Sequence, residues 1–178
     1  MDMTEKTLAR QDIYAGRVVK LHVDTVSLPD GGTATREIVE HPGGVAIVAL
    51  DEENRVCVVR QYRYAFGRMM LEIPAGKREA GEDPFLTAQR ELQEEVGATA
   101  ASWQSLGTLL PSPGCYGERL YLYLARGLTF GAVHPDEDEF LECERMDFDT
   151  LYEMCMDGSV EDAKTVAAIL KVKLLLGL

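Results

Sequence analysis

Apolar and polar residues alternate with a period of two through much of the first half of the chain and recur at helical spacing in its last third. Val18, Leu21, Val23 and Val26 lead into Pro29-Asp30-Gly31-Gly32, a strong turn signal, and residues 33–39 read as the returning strand of a β-hairpin. Residues 44–50 and 56–62 are short, almost wholly apolar runs on either side of the polar turn Asp51-Glu52-Glu53-Asn54, which predicts two central strands. Further strands are expected at 70–73, 105–110 and 120–125, the last alternating Leu120, Leu122 and Leu124 with Tyr121 and Tyr123.

Helical signals come later. Asp83 followed by Pro84 reads as an N-cap with proline at the first helical position, and Gly97 suits the left-handed residue that ends a helix, so residues 84–96 are expected to be helical. Two more helices are expected at 149–156 and 161–176, where Val166, Ile169, Leu170, Lys173 and Leu174 follow the helical period. Helices flanking a mixed sheet predict an α+β fold, a three-layer α/β/α sandwich.

Composition narrows the class. The chain has 178 residues, 46% of them hydrophobic and 27% charged, as in soluble globular proteins. It contains no apolar run long enough to span a bilayer. Residues 1–12 carry Asp2, Glu5 and Asp12 and lack the basic start and apolar core of an export signal, so a cytoplasmic protein without membrane association is expected. No linker divides the chain, which reads as an N-terminal hairpin extension (1–43) on one domain (44–178). Cys57, Cys115, Cys143 and Cys155 are scattered, without CxxC or Cys/His clusters, so free thiols are expected instead of zinc or disulfides. The net charge of -12 repels nucleic-acid backbones and polyphosphates, so a phosphate-bearing substrate must arrive with cations.

A candidate for holding such cations lies in the 84–96 helix. Glu91, Glu94 and Glu95 stand at i, i+3 and i+4, which puts three carboxylates on one face, beside an apolar face of Phe85, Ala88, Leu92 and Val96. Like charges at this spacing cost a helix roughly 0.2–0.5 kcal/mol per pair. Binding of a divalent cation reverses the sign, and carboxylate oxygens suit the hard ions Mg²⁺ and Mn²⁺. A bare Glu-x-x-Glu-Glu is more often a solvated acidic face, and the surrounding residues decide the matter. Gly76 is followed after five residues by Glu82 and after seven more by Arg90-Glu91-Leu92-Gln93-Glu94-Glu95-Val96-Gly97-Ala98. This segment resembles the Nudix box at every fixed position, with the small Ala98 at the final apolar one.

The resemblance implies a Nudix hydrolase that cleaves a pyrophosphate with two or three Mg²⁺ or Mn²⁺ ions. It makes Glu91 and Glu95 the principal metal ligands, Glu94 a further one and the Ala75 carbonyl another, with Glu94 and Glu95 counted in the catalytic set. Arg90 and Glu82 take a structural role, Arg90 reaching Glu94 one turn on. Gly76 and Gly81 are expected to lend the loop before the helix the dihedral freedom to fold tightly. The stretches 36–43, 61–63, 71–77 and Ser112-Pro113-Gly114 look like the bacterial ADP-ribose pyrophosphatase branch of that family. That likeness implies ADP-ribose, or another nucleoside-diphosphate sugar, as substrate, and a homodimer in which the N-terminal hairpin completes a neighbour's nucleoside site. Arg63 is then assigned to the diphosphate, Arg36 with its neighbour Glu37 to the adenosine end, and Tyr14 to stacking on adenine, although a lone tyrosine near a strand start is more often core. In the acidic run 136–139, a solvated loop by its composition alone, the resemblance makes Glu139 the general base that deprotonates the attacking water, with Glu137 next in line. A Nudix-fold sensor that binds ADP-ribose without cleaving it is the alternative class, against which the complete glutamate set argues.

Overall fold

The computed structural model describes residues 2–79, 81–133 and 140–178. It forms two compact units, Met1–Gly43 with Leu110–Arg119, and Gly44–Leu109 with Leu120–Leu178.

The first unit is a three-stranded antiparallel sheet, β1 (Lys6–Ala15), β2 (Lys20–Ser27) and β3 (Thr33–Glu40), in the order β1-β2-β3. The Pro29-to-Gly32 turn joins β2 to β3, with Gly31 at φ 87° and its N–H donating to the Leu28 carbonyl. The hairpin read from the sequence therefore gains a third strand. β1 is exposed along its whole length and shows no alternation of burial, so the hydrophobic pattern could not reveal it. Inside the sheet, β2 buries His22, Asp24 and Val26 in turn, and Arg10 of β1 bonds both Asp24 oxygens and Glu40. Residues 110–119 dock on β3, the Val39 N–H donating to Cys115 and the Gly117 N–H to the Val39 carbonyl, each at 2.8 Å.

The second unit is an α/β/α sandwich around a mixed sheet. Its strands are β4 (Gly44–Leu50), β5 (Arg55–Arg63), β6 (Arg68–Glu72), β7 (Ala75–Lys77), β8 (Ala98–Leu109), β9 (Leu120–Phe130) and β10 (Leu141–Asp147). The order is β10-β5-β4-β9-β8, with β6 on β5 and β7 on β4; β4 and β9 run parallel and the other pairs antiparallel. The helices are α1 (Pro84–Val96), α2 (Phe148–Asp157) and α3 (Ala163–Leu176). β4 is buried on both faces, which accounts for its unbroken apolar run. Val45, Ile47 and Ala49 pack with Ala88, Leu92 and Val96 of α1, while Ala46, Val48 and Leu50 pack with Phe148, Leu151 and Ile169 of α2 and α3.

Several boundaries shift from the sequence reading. The strand expected at 105–110 begins at Ala98, directly after α1, and the one expected at 120–125 runs on to Phe130. β7 and β10 were not foreseen, the first because three residues carry no period and the second because its side chains are mostly exposed. The final helix begins after Glu161, at Ala163, because the Asp162 side chain caps it by accepting from the Thr165 N–H at 3.0 Å. All four cysteines are free; burial pushes the Cys57 thiol up to about 12. Among the described residues no helix is long and apolar enough to cross a membrane.

Candidate active site

α1 is set by its ends. Asp83 accepts from the Phe85 N–H at 2.8 Å, Pro84 opens the first turn, and Gly97 closes the helix at φ 66°, its N–H donating to Gln93 at 3.0 Å. This fixes the rotation of the helix, and with it the carboxylates. Glu91 and Glu95 do not lie on a solvated flank beside the apolar face, as helical spacing alone suggests. They share the buried face with Ala88, Leu92 and Val96, at 6% and 2% exposure. Glu94 points further outward, and its carboxylate is partly exposed. Burying two carboxylates one turn apart is costly unless each is held by hydrogen bonds or positive charge.

The segment from Glu72 to Gly76 is anchored residue by residue, and its Ala75 supplies part of that support. Glu72 accepts from Arg63. The Ile73 N–H donates to Thr165 Oγ1 at 2.9 Å, the Pro74 carbonyl accepts from the Ile47 N–H at 2.9 Å, and the Ala75 N–H donates to Glu95 Oε2 at 2.9 Å. At Gly76 the support is steric: a Cβ there would stand 1.8–2.1 Å from the carboxyl carbon and oxygens of Glu91. The expectation that Gly76 serves through dihedral freedom is thus corrected. Its φ is not positive, and it is glycine because the Glu91 carboxyl packs against its Cα. Gly81, by contrast, has φ 80° with open space around it, and there the left-handed backbone is the reason for glycine.

Arg90 ties the acids together. Its Nη1 lies 2.7 Å from Glu94 Oε2 and 2.8 Å from Glu91 Oε1, its Nε 3.3 Å from Glu82 Oε1, and its Nη2 donates to the Lys77 carbonyl at 3.2 Å. One guanidinium thus serves three carboxylates. The Arg90 hydrogen bond, outweighing partial burial, holds the Glu82 carboxyl down at about 2. Arg90 itself is desolvated, yet its pKa is raised by Glu82, Glu91 and Glu94.

These oxygens are the donor type a hard divalent cation takes, and the surplus of negative over positive charge on this face is what such a cation relieves. Among the described residues no three His, Cys, Asp or Glu side chains converge as metal ligands do. Glu91 and Glu94 are drawn to Arg90 and Glu95 to the Ala75 N–H, so ligation would exchange some of these contacts for the metal.

Arg63, at the end of β5, forms a two-pronged ion pair with Glu72, Nε to Oε1 and Nη2 to Oε2 at 2.7 Å each, and feels the charge of Glu95. Lys164, in the first turn of α3, bonds the same Glu72 Oε2 and also Asp162. Sequence reasoning passed over Glu72 and Lys164. The available signals were a lone acid between Leu71 and Ile73 and a lysine at a helix start, where the helix dipole disfavours positive charge. Burial alone would raise the Glu72 carboxyl, but Arg63 and Lys164 lower it to about 2. A value below the ordinary 4.5 means that the stabilisation, on the order of 3 kcal/mol, is complete above about pH 4.5 and lost as pH falls towards 2. Urea unfolding between pH 7 and 3 is therefore expected to show the native protein losing stability faster than Glu72→Gln. Parallel profiles would contradict this assignment.

The remaining predicted residues fall elsewhere. Arg36 and Glu37 lie on β3 and Tyr14 on β1, all in the first unit. Arg36 is paired with Glu5, Nε to Oε2 at 3.0 Å. Glu37 is exposed. Tyr14 is 59% exposed and lies over Gly16, so it is not a core residue. Glu139 and Glu137 lie outside the described residues.

Comparison with known proteins gives the family of the chain. The NUDIX domain family model matches residues 40–169, and a model described as the nucleoside diphosphate sugar hydrolase N-terminal domain matches residues 5–39. The chain is 44% identical to the methanol dehydrogenase activator of Bacillus methanolicus, over 93% of this chain and 90% of that one. It is 40% identical to the ADP-ribose pyrophosphatase of Bacillus subtilis, over 94% and 91%. A third relative, the ADP-ribose pyrophosphatase of Mycobacterium tuberculosis, is 47% identical over 69% of this chain and 60% of that one. The fold matches a crystal structure of an ADP compounds hydrolase with a TM-score of 0.85 at 22% identity, over 97% of this chain and 94% of that one. With its glutamate-bearing helix seated against Gly76 and the family model spanning most of its length, this chain belongs to the Nudix family.

Proposed function

We propose that the protein hydrolyses the pyrophosphate bond of ADP-ribose, with water, to AMP and ribose 5-phosphate, using Mg²⁺, for which Mn²⁺ can substitute. The observation that carries this reading is the pair of buried carboxylates, Glu91 and Glu95, held on one helix face by Arg90 and the Ala75 N–H. Glu91, Glu95, Glu94 and the Ala75 carbonyl would hold two or three divalent ions. Such ions, when bound, neutralise the diphosphate and make water acidic enough to yield a nucleophile near neutral pH.

The chain's own groups do the rest. Arg63 binds the diphosphate, adding positive charge in a protein of net charge -12. Arg36, Glu37 and Tyr14 bind the adenosine end, completed across a homodimer. Glu139 takes the proton of the attacking water as the new phosphorus–oxygen bond forms. The bridging oxygen leaves with the other phosphate, so each product carries one phosphate. The expected setting is the cytoplasm, with neither nucleic acid nor membrane as partner.

Two relatives named ADP-ribose pyrophosphatase, at 40% and 47% identity, support this substrate over other nucleotide sugars. More distant relatives are named GDP-mannose pyrophosphatase, one of them 30% identical, which makes GDP-mannose the comparison to run. Mass spectrometry of products from ADP-ribose and from GDP-mannose, each with Mg²⁺, tests the reading. AMP and ribose 5-phosphate should form, with a higher kcat/KM for ADP-ribose. A faster reaction with GDP-mannose would reassign the substrate, and tight ADP-ribose binding without AMP release would mark a sensor.

A further inference from the structure

We propose that Glu72, backed by Lys164, is a positioning residue that fixes the Arg63 guanidinium so that its free edge meets the substrate diphosphate; this rests on the ADP-ribose reading above. The geometry divides the guanidinium in two. Nε and Nη2 are spent on Glu72, at 2.7 Å each, and the fork-to-fork contact fixes the plane of the group. Nη1 has no protein partner among the described residues. Glu72 is 2% exposed, so it cannot meet the substrate itself and acts through Arg63. Arg63 is in turn close enough to Glu95 to feel its charge, which puts it on the carboxylate side of the unit.

Lys164 shares the Glu72 carboxylate with Arg63. Glu72 with Arg63 as its sole partner would spend its whole charge on that guanidinium. Lys164 takes part of the charge at Glu72 Oε2 and pairs as well with Asp162, whose carboxylate also caps α3 through the Thr165 N–H at 3.0 Å and hydroxyl at 2.6 Å. The first turn of a helix is an unfavourable place for a lysine, so its presence there fits a role towards Glu72. A plain staple between β5, β6 and α3 would need the same ion pairs but would have no reason to leave Nη1 without a partner among the described residues.

A double-mutant cycle separates the two. With ADP-ribose and Mg²⁺ under conditions where every variant is folded, Glu72→Gln is expected to raise KM about 10-fold, with kcat changed less than about 2-fold. In an Arg63→Ala background the same substitution should add nothing, because the residue through which it acts is gone. Lys164→Met, which leaves the Glu72 carboxylate in place, should raise KM about 3-fold and likewise lose its effect in that background. An unchanged KM in Glu72→Gln, or a rise that persists without Arg63, overturns the proposal.

A readout without substrate keeps the test independent of the ADP-ribose reading. The Arg63 Nε–H resonance, identified by its loss in Arg63→Lys, should exchange slowly with water in the native protein and rapidly in Glu72→Gln. Equal exchange in both overturns the positioning role. If the native protein releases no AMP, the substrate reading fails while this measurement still decides the role of Glu72.

Discussion

Glu95→Gln is expected to lower turnover of ADP-ribose by at least roughly 10²–10³-fold while leaving the chain folded. Glutamine keeps the shape of glutamate and an oxygen that can accept from the Ala75 N–H, the contact that Glu95 Oε2 makes at 2.9 Å. The backbone therefore retains its partner, and the apolar packing of Leu92 and Val96 on either side is untouched. What disappears is a negative charge on the face proposed to hold cations. Thermal unfolding should shift by only a few degrees, whereas steady-state rates at saturating Mg²⁺ should collapse. Wild-type turnover in the variant would remove Glu95 from the metal set.

Gly76→Ala is expected to cost both stability and activity. The added methyl would stand 1.8 Å from the Glu91 carboxyl carbon and 2.0 and 2.1 Å from its oxygens, so Glu91 or β7 must move. Overpacking of this kind costs about 1–3 kcal/mol. Displacing a functional carboxylate by about 1 Å can cost on the order of 100-fold in rate. Because one contact causes both effects, removing the other partner should relieve the strain. In urea unfolding of Gly76→Ala, Glu91→Ala and the double variant, the double should be more stable than the sum of the two losses by about 1 kcal/mol or more. Simple additivity would show that the glycine is needed for some other reason.

How much of this was legible in the sequence differs from element to element, for physical reasons. α1 was legible to the residue, because Asp83, Pro84 and Gly97 act locally and mean the same thing in a sequence as in a fold. β4 was legible because burial on both faces leaves an unbroken apolar run. β1 was not, because its side chains are exposed and it exists by pairing with β2, through two register shifts that no period encodes.

At the site, the residues in the Nudix box were legible but the reasons for some of them were not. Gly76 and Glu91 are fifteen positions apart, and only the packed structure shows that one is small because the other lies on it. In the same way, periodicity placed Glu91, Glu94 and Glu95 on one face. It could not tell that the rotation set by the caps buries Glu91 and Glu95 and leaves Glu94 facing outward. Glu72 was hidden for a similar reason: Arg63 stands nine residues earlier on the paired strand β5, but Lys164 comes from a distant stretch of chain, and the three meet only in the fold.

The central claim is that the α1 carboxylates hold the divalent ions on which cleavage depends. Titration of Mn²⁺ followed by electron paramagnetic resonance, on the native protein and on Glu91→Gln/Glu95→Gln with AMP present, tests it most directly. The native protein should take up Mn²⁺ and deplete the free-ion signal, and the double variant, still folded by circular dichroism, should leave that signal undiminished. Equal uptake by both proteins would contradict the account.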